Sequence, residues 1–188
     1  ITTLAKVGMA REKLEGQNLG IIGRPSDWLI SSDPDKEAMK AKLGINLVDI
    51  DIEELIEEYG RTEFMPSETD VNISEGLKKY SQGAFRIYRA LKSIIERYSL
   101  SGLTLRCFDL LDTLENTGCL ALAMLNAEGI PAGCEGDVPA LVTMAIGQAL
   151  TGTCGFQANP SRIDPQTGEM LLAHCTVPFN MVRSYSFS

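Results

Sequence analysis

The residues of this chain most able to do chemistry are two carboxylates in front of an apolar stretch and one histidine. Glu135 and Asp137 flank a glycine in CEGDVPALVTMAIGQALTG, and His174, the only histidine, lies in LLAHCTVP. Two carboxylates held this close repel each other unless a cation or a shared proton relieves them. Divalent cations accept such oxygen ligands, with imidazole as a further donor. The pattern therefore permits a metal site or a pair of acid–base groups.

A helix cap is the competing interpretation of the acidic pair. Pro139 suits the first turn of a helix, and Asp137 in front of it would accept backbone N–H bonds as the N-cap, which leaves Glu135 exposed. His174 lies among apolar residues on a predicted strand, where a packed core histidine is commoner than a ligand. Cys175 beside it would face the other side of that strand, so we do not expect a direct Cys–His pair.

Three further residues are weaker candidates. Asp109 ends the predicted strand LTLRCFD, and ligands of open α/β sheets bind at the carboxyl ends of strands. Aspartate is also common at such ends as a turn former. Asn159 and Arg162, in the stretch ANPSRID, could contact a sugar, and a local ion pair between Arg162 and Asp164 is the simpler alternative.

Composition argues against several classes of protein. The 188 residues carry a formal net charge of −8, and an acidic chain without a basic cluster is a poor candidate for nucleic acid or an anionic membrane. No apolar run approaches the length of a membrane span. Five cysteines without a CxxC pair predict free thiols in a reducing cytoplasm rather than a zinc site. The first residue, Ile1, and the β-like final run NMVRSYSFS predict a fragment of a longer protein.

The elements that must position these residues follow an α/β order. A strand in LGIIG, a helix in DKEAMKAKLG, a strand in INLVDIDI and a helix in EELIEEYG form a unit that implies a parallel sheet. A long helix follows in SEGLKKYSQGAFRIYRALKSIIERYSLSG. The strand LTLRCFD, the helix TLENTGCLALAMLNAEG, a strand or turn in IPAGCEGD and the helix VPALVTMAIGQALTG come next. A β-hairpin with its turn at PQTGE ends the pattern, so the last third changes toward antiparallel strands.

The stretches GCEGDVPALVTMAIGQALTG and FQANPSRIDPQTGEMLLAHCTVP together resemble the L-fucose/L-arabinose isomerase family, in particular its fucose isomerase-like branch. The resemblance covers roughly the last 85 residues closely, and the earlier residues only through the order of their elements. It implies a Rossmann-like middle domain over residues 1–100. Residues 101–188 would then be the truncated start of a mixed or antiparallel β catalytic domain.

The resemblance also implies a function and a site. Family members are cytoplasmic, Mn²⁺-dependent enzymes that form trimers or hexamers and interconvert an aldose and a ketose, here a deoxyhexose or a pentose. The metal acts as Lewis acid and template, and a carboxylate moves a proton between C1 and C2 through an ene-diol. By this resemblance Asp137 and His174 are metal ligands, Glu135 is a ligand or proton shuttle, and Asp109 is a further ligand. Gln157 stands where the arabinose isomerase pattern has a glutamate.

Two other classes remain open at this point. The same order of elements fits a non-catalytic sugar-binding or regulatory α/β module, in which sugar binding would not respond to EDTA. A structural scaffold with capped helices would bind neither sugar nor metal.

Overall fold

The computed structural model describes residues 2–30, 33–63 and 78–183. Its helices are α1 (Thr2–Leu14), α2 (Lys36–Leu43), α3 (Ile52–Arg61), α4 (Lys78–Tyr98), α5 (Leu111–Leu114), α6 (Cys119–Ala127) and α7 (Val138–Thr151). Its strands are β1 (Asn18–Ile22), β2 (Asn46–Ile50), β3 (Leu100–Leu105), β4 (Ala132–Cys134), β5 (Asn159–Asp164) and β6 (Glu169–Ala173). Short 3₁₀ helices cover Cys107–Leu110 and Phe179–Met181.

Four strands form one parallel sheet in the order β2-β1-β3-β4. β1 lies inside the sheet, where Leu19 is opposite Leu47 of β2 on one side and Gly102 of β3 on the other. β5 and β6 form a separate antiparallel pair. The predicted α/β class, a parallel sheet with helices followed by a small antiparallel sheet, is therefore confirmed. The predicted boundary between residues 100 and 101 falls within β3, which belongs to the same sheet as β1.

Helices cover both faces of the parallel sheet. One cluster of buried apolar side chains joins the strands to α3, α4 and α6, for example through Leu55, Ile87 and Leu122. A second cluster joins β1 to α1 and α7 through residues such as Leu14 and Leu141. Because successive side chains of a strand point to opposite faces, β1 can supply both clusters. With both faces covered, the edge at the carboxyl ends of the strands is where a ligand can approach.

Local signals placed several boundaries correctly. Gly44 ends α2 in a left-handed conformation, as the glycine at the end of DKEAMKAKLG predicted. The cap at the start of α2 was not predicted: it is Asp35, which accepts from the Ala38 N–H. Ala84, Ile87, Leu91 and Ile94 recur at helical spacing in the sequence of α4, and all four are buried, which confirms the apolar face that this spacing predicts. The first residues of that predicted helix, 74 to 77, lie outside the described ranges.

Other predicted boundaries were wrong. α1 was not predicted. Among its described side chains only Ala10 and Leu14 are buried, and two apolar positions are too few to indicate a helix. α3 continues past Gly60 to Arg61. The single helix predicted for TLENTGCLALAMLNAEG is two helices, α5 and α6, since Glu115 adopts a left-handed conformation with φ of 48°. The final run NMVRSYSFS begins in a 3₁₀ helix rather than a strand, and residues from 184 onward lie outside the described part.

No helix in the described ranges combines the length and the apolar character that a bilayer span requires.

Candidate functional site

The turn between β4 and α7 carries the two predicted carboxylates. Asp137 is the N-cap of α7: its Oδ1 accepts from the Ala140 backbone N–H at 2.8 Å. Pro139 occupies the first helical turn, where its missing N–H costs nothing. The capping interpretation of Asp137 is therefore confirmed, and a role as metal ligand stays a prediction for its second oxygen.

Glu135 lies in a turn that is fastened to two neighbouring loops. Its backbone is left-handed, with φ of 63°, and its carbonyl accepts from the Ser26 N–H at 3.0 Å. The Glu135 carboxylate accepts from Trp28 Nε1 at 3.4 Å. The next residue, Gly136, donates its N–H to the Leu105 carbonyl at 3.1 Å. These bonds hold the Glu135 carboxylate beside the loop that follows β1.

A buried arginine joins the loops that follow β1 and β3. The Arg106 side chain is only 9% exposed and donates to Asp109 Oδ1 at 2.9 Å, to the Pro25 carbonyl at 2.8 Å and to Asp27 Oδ2 at 3.3 Å. Its backbone N–H donates to the Ile22 carbonyl at 3.0 Å. The hydrogen bond to Asp109, followed by that to Asp27, raises the pKa of Arg106. Arg106 is therefore a fixed positive charge at this edge.

Two aromatic rings border the same edge. Trp28 and Phe108 meet edge to face with centroids 5.8 Å apart, and they remain 57% and 47% exposed. The Arg106 guanidinium lies 5.9 Å from the Trp28 ring centre. Ligand sites commonly combine aromatic surface with a few fixed polar groups, and this edge offers both.

These charged and aromatic residues lie where the strand order of the sheet reverses. From β1 the chain passes to β2 on one side, and β3 then pairs with β1 on the other side. Such a reversal opens a crevice between the loops at the carboxyl ends of the two central strands. Trp28 and Asp27 follow β1, while Arg106 and Phe108 follow β3. Sequence reasoning missed Trp28 and Arg106, although an Arg-x-x-Asp spacing directly after a strand was a usable signal.

Asp109 was predicted to end a strand, and that placement is wrong. β3 stops at Leu105, and Asp109 lies within the 3₁₀ helix Cys107–Leu110. Its carboxylate accepts from Arg106, so Asp109 belongs to the same edge through a side-chain contact. Its role as a metal ligand stays a prediction.

His174 and Cys175 lie beyond the hairpin strand on which they were predicted. β6 ends at Ala173, and His174 Nδ1 lies 2.9 Å from Thr176 Oγ1 and 3.7 Å from Cys175 Sγ. The expectation that the two side chains face apart is therefore wrong, because it assumed strand geometry for residues that form a turn.

The structure brings His174 to sulfur rather than to the predicted pair of carboxylates. Three donor atoms, one each from Cys134, His174 and Cys175, lie within 4.8 Å of one another. Within the described ranges, Glu135, Asp137 and His174 do not form such a group. Whether they act together in the whole protein stays a prediction.

The predicted sugar contacts lie on the hairpin. Asn159 and Arg162 are exposed on β5, and Asn159 lies opposite Ala173, the residue before His174. The local ion pair considered for Arg162 is not among the salt bridges of the described residues. Asp164 instead accepts from the backbone N–H groups of Gln166 and Thr167, at 2.9 Å and 3.2 Å, which fixes the hairpin turn.

Gln157 has a structural contact at the end of the sheet. Its Oε1 accepts from the Cys134 backbone N–H at 2.8 Å. This bond ties the segment before β5 to the strand that leads into Glu135, so Gln157 supports the position of the turn.

Two substitutions of Asp137 separate capping from metal binding. Asp137→Ala should lower the free energy of unfolding by about 1 kcal/mol, because a helix cap is lost, whereas Asp137→Asn should change it by only a few tenths. Urea denaturation measures both. A Mn²⁺ affinity of Asp137→Asn equal to that of the unaltered protein would contradict a ligand role. An equal loss of stability in both variants would contradict the cap.

The fold and this edge define an open α/β protein with a carboxylate, a buried arginine and exposed aromatic rings where its strand order reverses. No model of a known protein family matches the chain. The chain is 26% identical over 185 residues to a sulfoquinovose isomerase of Clostridium sp. (strain MSTE9), across 93% of this chain and 41% of that protein. Sulfoquinovose isomerases of Priestia aryabhattai and Priestia megaterium (strain ATCC 12872 / QMB1551) are each 24% identical over 170 residues, across 84% of this chain and 37% of theirs.

The chain is thus similar to sugar isomerases, although the comparisons do not single out the fucose and arabinose branch. It spans about two fifths of the length of the curated relatives it matches.

Proposed function

We propose that this chain is part of an aldose–ketose isomerase and that Glu135 is its acid–base carboxylate. The observation that carries the proposal is that the left-handed turn after β4 holds the Glu135 carboxylate against Trp28, beside the reversal point of the sheet, in a chain similar to sugar isomerases. Exposed Trp28 beside it supplies an apolar ring face for the carbon skeleton of a sugar. The indole N–H of Trp28 also donates to the Glu135 carboxylate, and this bond orients the carboxylate toward the indole ring.

The reaction needs one group that accepts and returns a proton. The Glu135 carboxylate takes the proton from C2 of the open-chain aldose, and the electrons of that C–H bond form the ene-diol double bond. The same carboxyl group then returns a proton to C1, while the O2 hydroxyl proton is transferred to O1. The product is the ketose, with no net change in atoms or electrons. General acid–base catalysis of this kind contributes roughly 10²–10⁴-fold to the rate.

Manganese belongs to the proposal for the whole protein, and the residues of this chain fit it only in part. Glu135 and Asp137 offer the oxygen donors that Mn²⁺ accepts, but His174 lies with two thiols. The described residues therefore do not complete a manganese site by themselves. Further ligands would have to come from the rest of the protein or from another subunit of a trimer or hexamer.

The substrate class follows from the same edge and from the relatives. We propose a deoxyhexose or a pentose, with sulfoquinovose, a deoxyhexose bearing a sulfonate, as the first candidate. A sulfonate requires a positive charge. Arg24, with a side chain 74% exposed and 3.7 Å from Asp27, is a cation at this edge that could meet it.

An isomerisation assay in D₂O tests the proposal on the full-length protein. Sulfoquinovose, L-fucose and L-arabinose are incubated with the protein, and ketose formation and deuterium at C1 are followed by NMR. We expect ketose from at least one sugar, loss of activity with EDTA and recovery with Mn²⁺. Sugar binding without any ketose, unaffected by EDTA, would contradict the proposal and indicate the non-catalytic module instead.

A further inference from the structure

Four of the five cysteines and the only histidine come together near the end of the parallel sheet. Cys107 follows β3, Cys119 begins α6, Cys134 ends β4, and His174 with Cys175 follows β6. The sequence spacing argued against a zinc site because no two cysteines lie close along the chain. The fold overcomes that separation by bringing different elements to one place.

The distances define the cluster. The sulfur atoms of Cys107 and Cys134 are 2.9 Å apart. The Cys119 thiol adjoins this cluster and lies 3.2 Å from Thr117 Oγ1. Donor atoms of Cys134, Cys175 and His174 all lie within 4.8 Å of one another.

Tetrahedral zinc accounts for most of these distances. Zn–S bonds of about 2.3 Å at tetrahedral angles place two sulfur ligands about 3.8 Å apart, which is inside the 4.8 Å limit of the Cys134–His174–Cys175 group. The separation of 2.9 Å between Cys107 and Cys134 is too short for two ligands of one ion. It is also much longer than a disulfide bond of about 2.05 Å. Cys107 therefore fits the role of a thiol that hydrogen-bonds a ligand sulfur.

We propose that Cys134, His174 and Cys175 bind a thiophilic divalent cation, Zn²⁺, in a structural site separate from the carboxylates of the β4–α7 turn, with the adjoining Cys119 thiol as the candidate fourth ligand. Thiolate and imidazole are the donors that zinc prefers, whereas Mn²⁺ favours oxygen. Cys175 is exposed and Cys134 is buried, so an ion can enter from solvent and still be held at the end of the sheet.

A zinc ion here would link the hairpin to the parallel sheet. The β5–β6 strands are exposed along their length. On either side of them, the chain contacts the rest of the protein through the Gln157–Cys134 bond and a bond from Asn180 to the Ala127 carbonyl, at 3.2 Å. The ion would join the residues directly after β6 to the end of β4 and the start of α6.

Cobalt titration tests the site without any sugar. The reduced, metal-free protein is titrated with Co²⁺ while thiolate-to-cobalt charge-transfer absorption is recorded, and zinc is then added to displace the cobalt. We expect one ion per chain with thiolate absorption. Cys175→Ser and His174→Ala should each weaken the affinity at least tenfold, a conservative bound since even outer-shell changes cost about 10–100-fold.

Cys154→Ser is the matched control, because Cys154 is also a buried free thiol whose raised pKa comes from burial alone. It should bind Co²⁺ like the unaltered protein. Cys134→Ser is avoided because loss of a buried residue can prevent folding. Absence of thiolate absorption, or unchanged affinity in both Cys175→Ser and His174→Ala, would overturn the proposal. So would a reduced protein that binds no Co²⁺ and forms a Cys107–Cys134 disulfide in air.

Discussion

Gly136→Ala is expected to lower the free energy of unfolding by about 2–5 kcal/mol. Gly136 has φ of +69°, and a Cβ added to it would lie 2.6 Å from the Arg24 carbonyl oxygen and 2.8 Å from Pro25 Cα. A left-handed conformation costs an L-residue about 1–2 kcal/mol, and forcing an atom into packed surroundings adds typically 1–3 kcal/mol. Both contacts are backbone atoms, which cannot rotate away. Urea denaturation followed by Trp28 fluorescence measures the loss.

Gly147→Ala is the control for this substitution. Gly147 lies within α7, and an added Cβ there would have no neighbour within 4 Å. Replacing a glycine inside a helix by alanine should raise the free energy of unfolding by roughly 0.5–1 kcal/mol. Equal stability of Gly136→Ala and the unaltered protein would show that the β4–α7 turn does not press against the loop after β1.

Glu135→Gln is expected to lower kcat for sugar isomerisation by roughly 10²–10⁴-fold, the usual contribution of a positioned acid–base group. Glutamine keeps an oxygen that can accept from Trp28 Nε1, so the turn should remain folded. It cannot take a proton from C2. The thermal midpoint should therefore change little while turnover falls. Both quantities are measured on the full-length protein.

Asp112→Asn makes the same chemical change at an exposed residue of α5. It should leave kcat within about twofold, since nothing in the proposed reaction involves it. If Glu135→Gln retained the same kcat as Asp112→Asn, Glu135 would not be the acid–base group. Isomerase activity could then still be present, with another carboxylate as the base.

The sequence was most informative where local chemistry decides the structure. Asp137 and Pro139 fix the start of α7 because a cap and a proline act within one helical turn. Gly44 ends α2 for a similarly local reason. The parallel sheet followed from the alternation of strands and helices, which is a property of the whole pattern and tolerates errors at single boundaries.

The contacts that assemble the site could not be predicted from the sequence. Arg106 bonds Pro25 and Asp27, about 80 residues earlier in the chain, and no spacing rule connects residues so far apart. His174 was placed on a strand because LLAH continues the apolar run of β6, whereas the strand ends one residue earlier. Because β6 ends before His174, the side chains of His174 and Cys175 are not forced to opposite faces of a strand and can contact each other.

The strand order has a consequence for synthesis on the ribosome. β1 is an inner strand, yet its partner β3 comes roughly 80 residues later in the chain. At about 5–20 residues per second, several seconds of translation separate the two strands. During that interval the nascent chain can pair β1 with β2 only, which leaves an apolar strand edge open to other chains. A chaperone that covers that edge would act on the emerging polypeptide before β3 has left the ribosome.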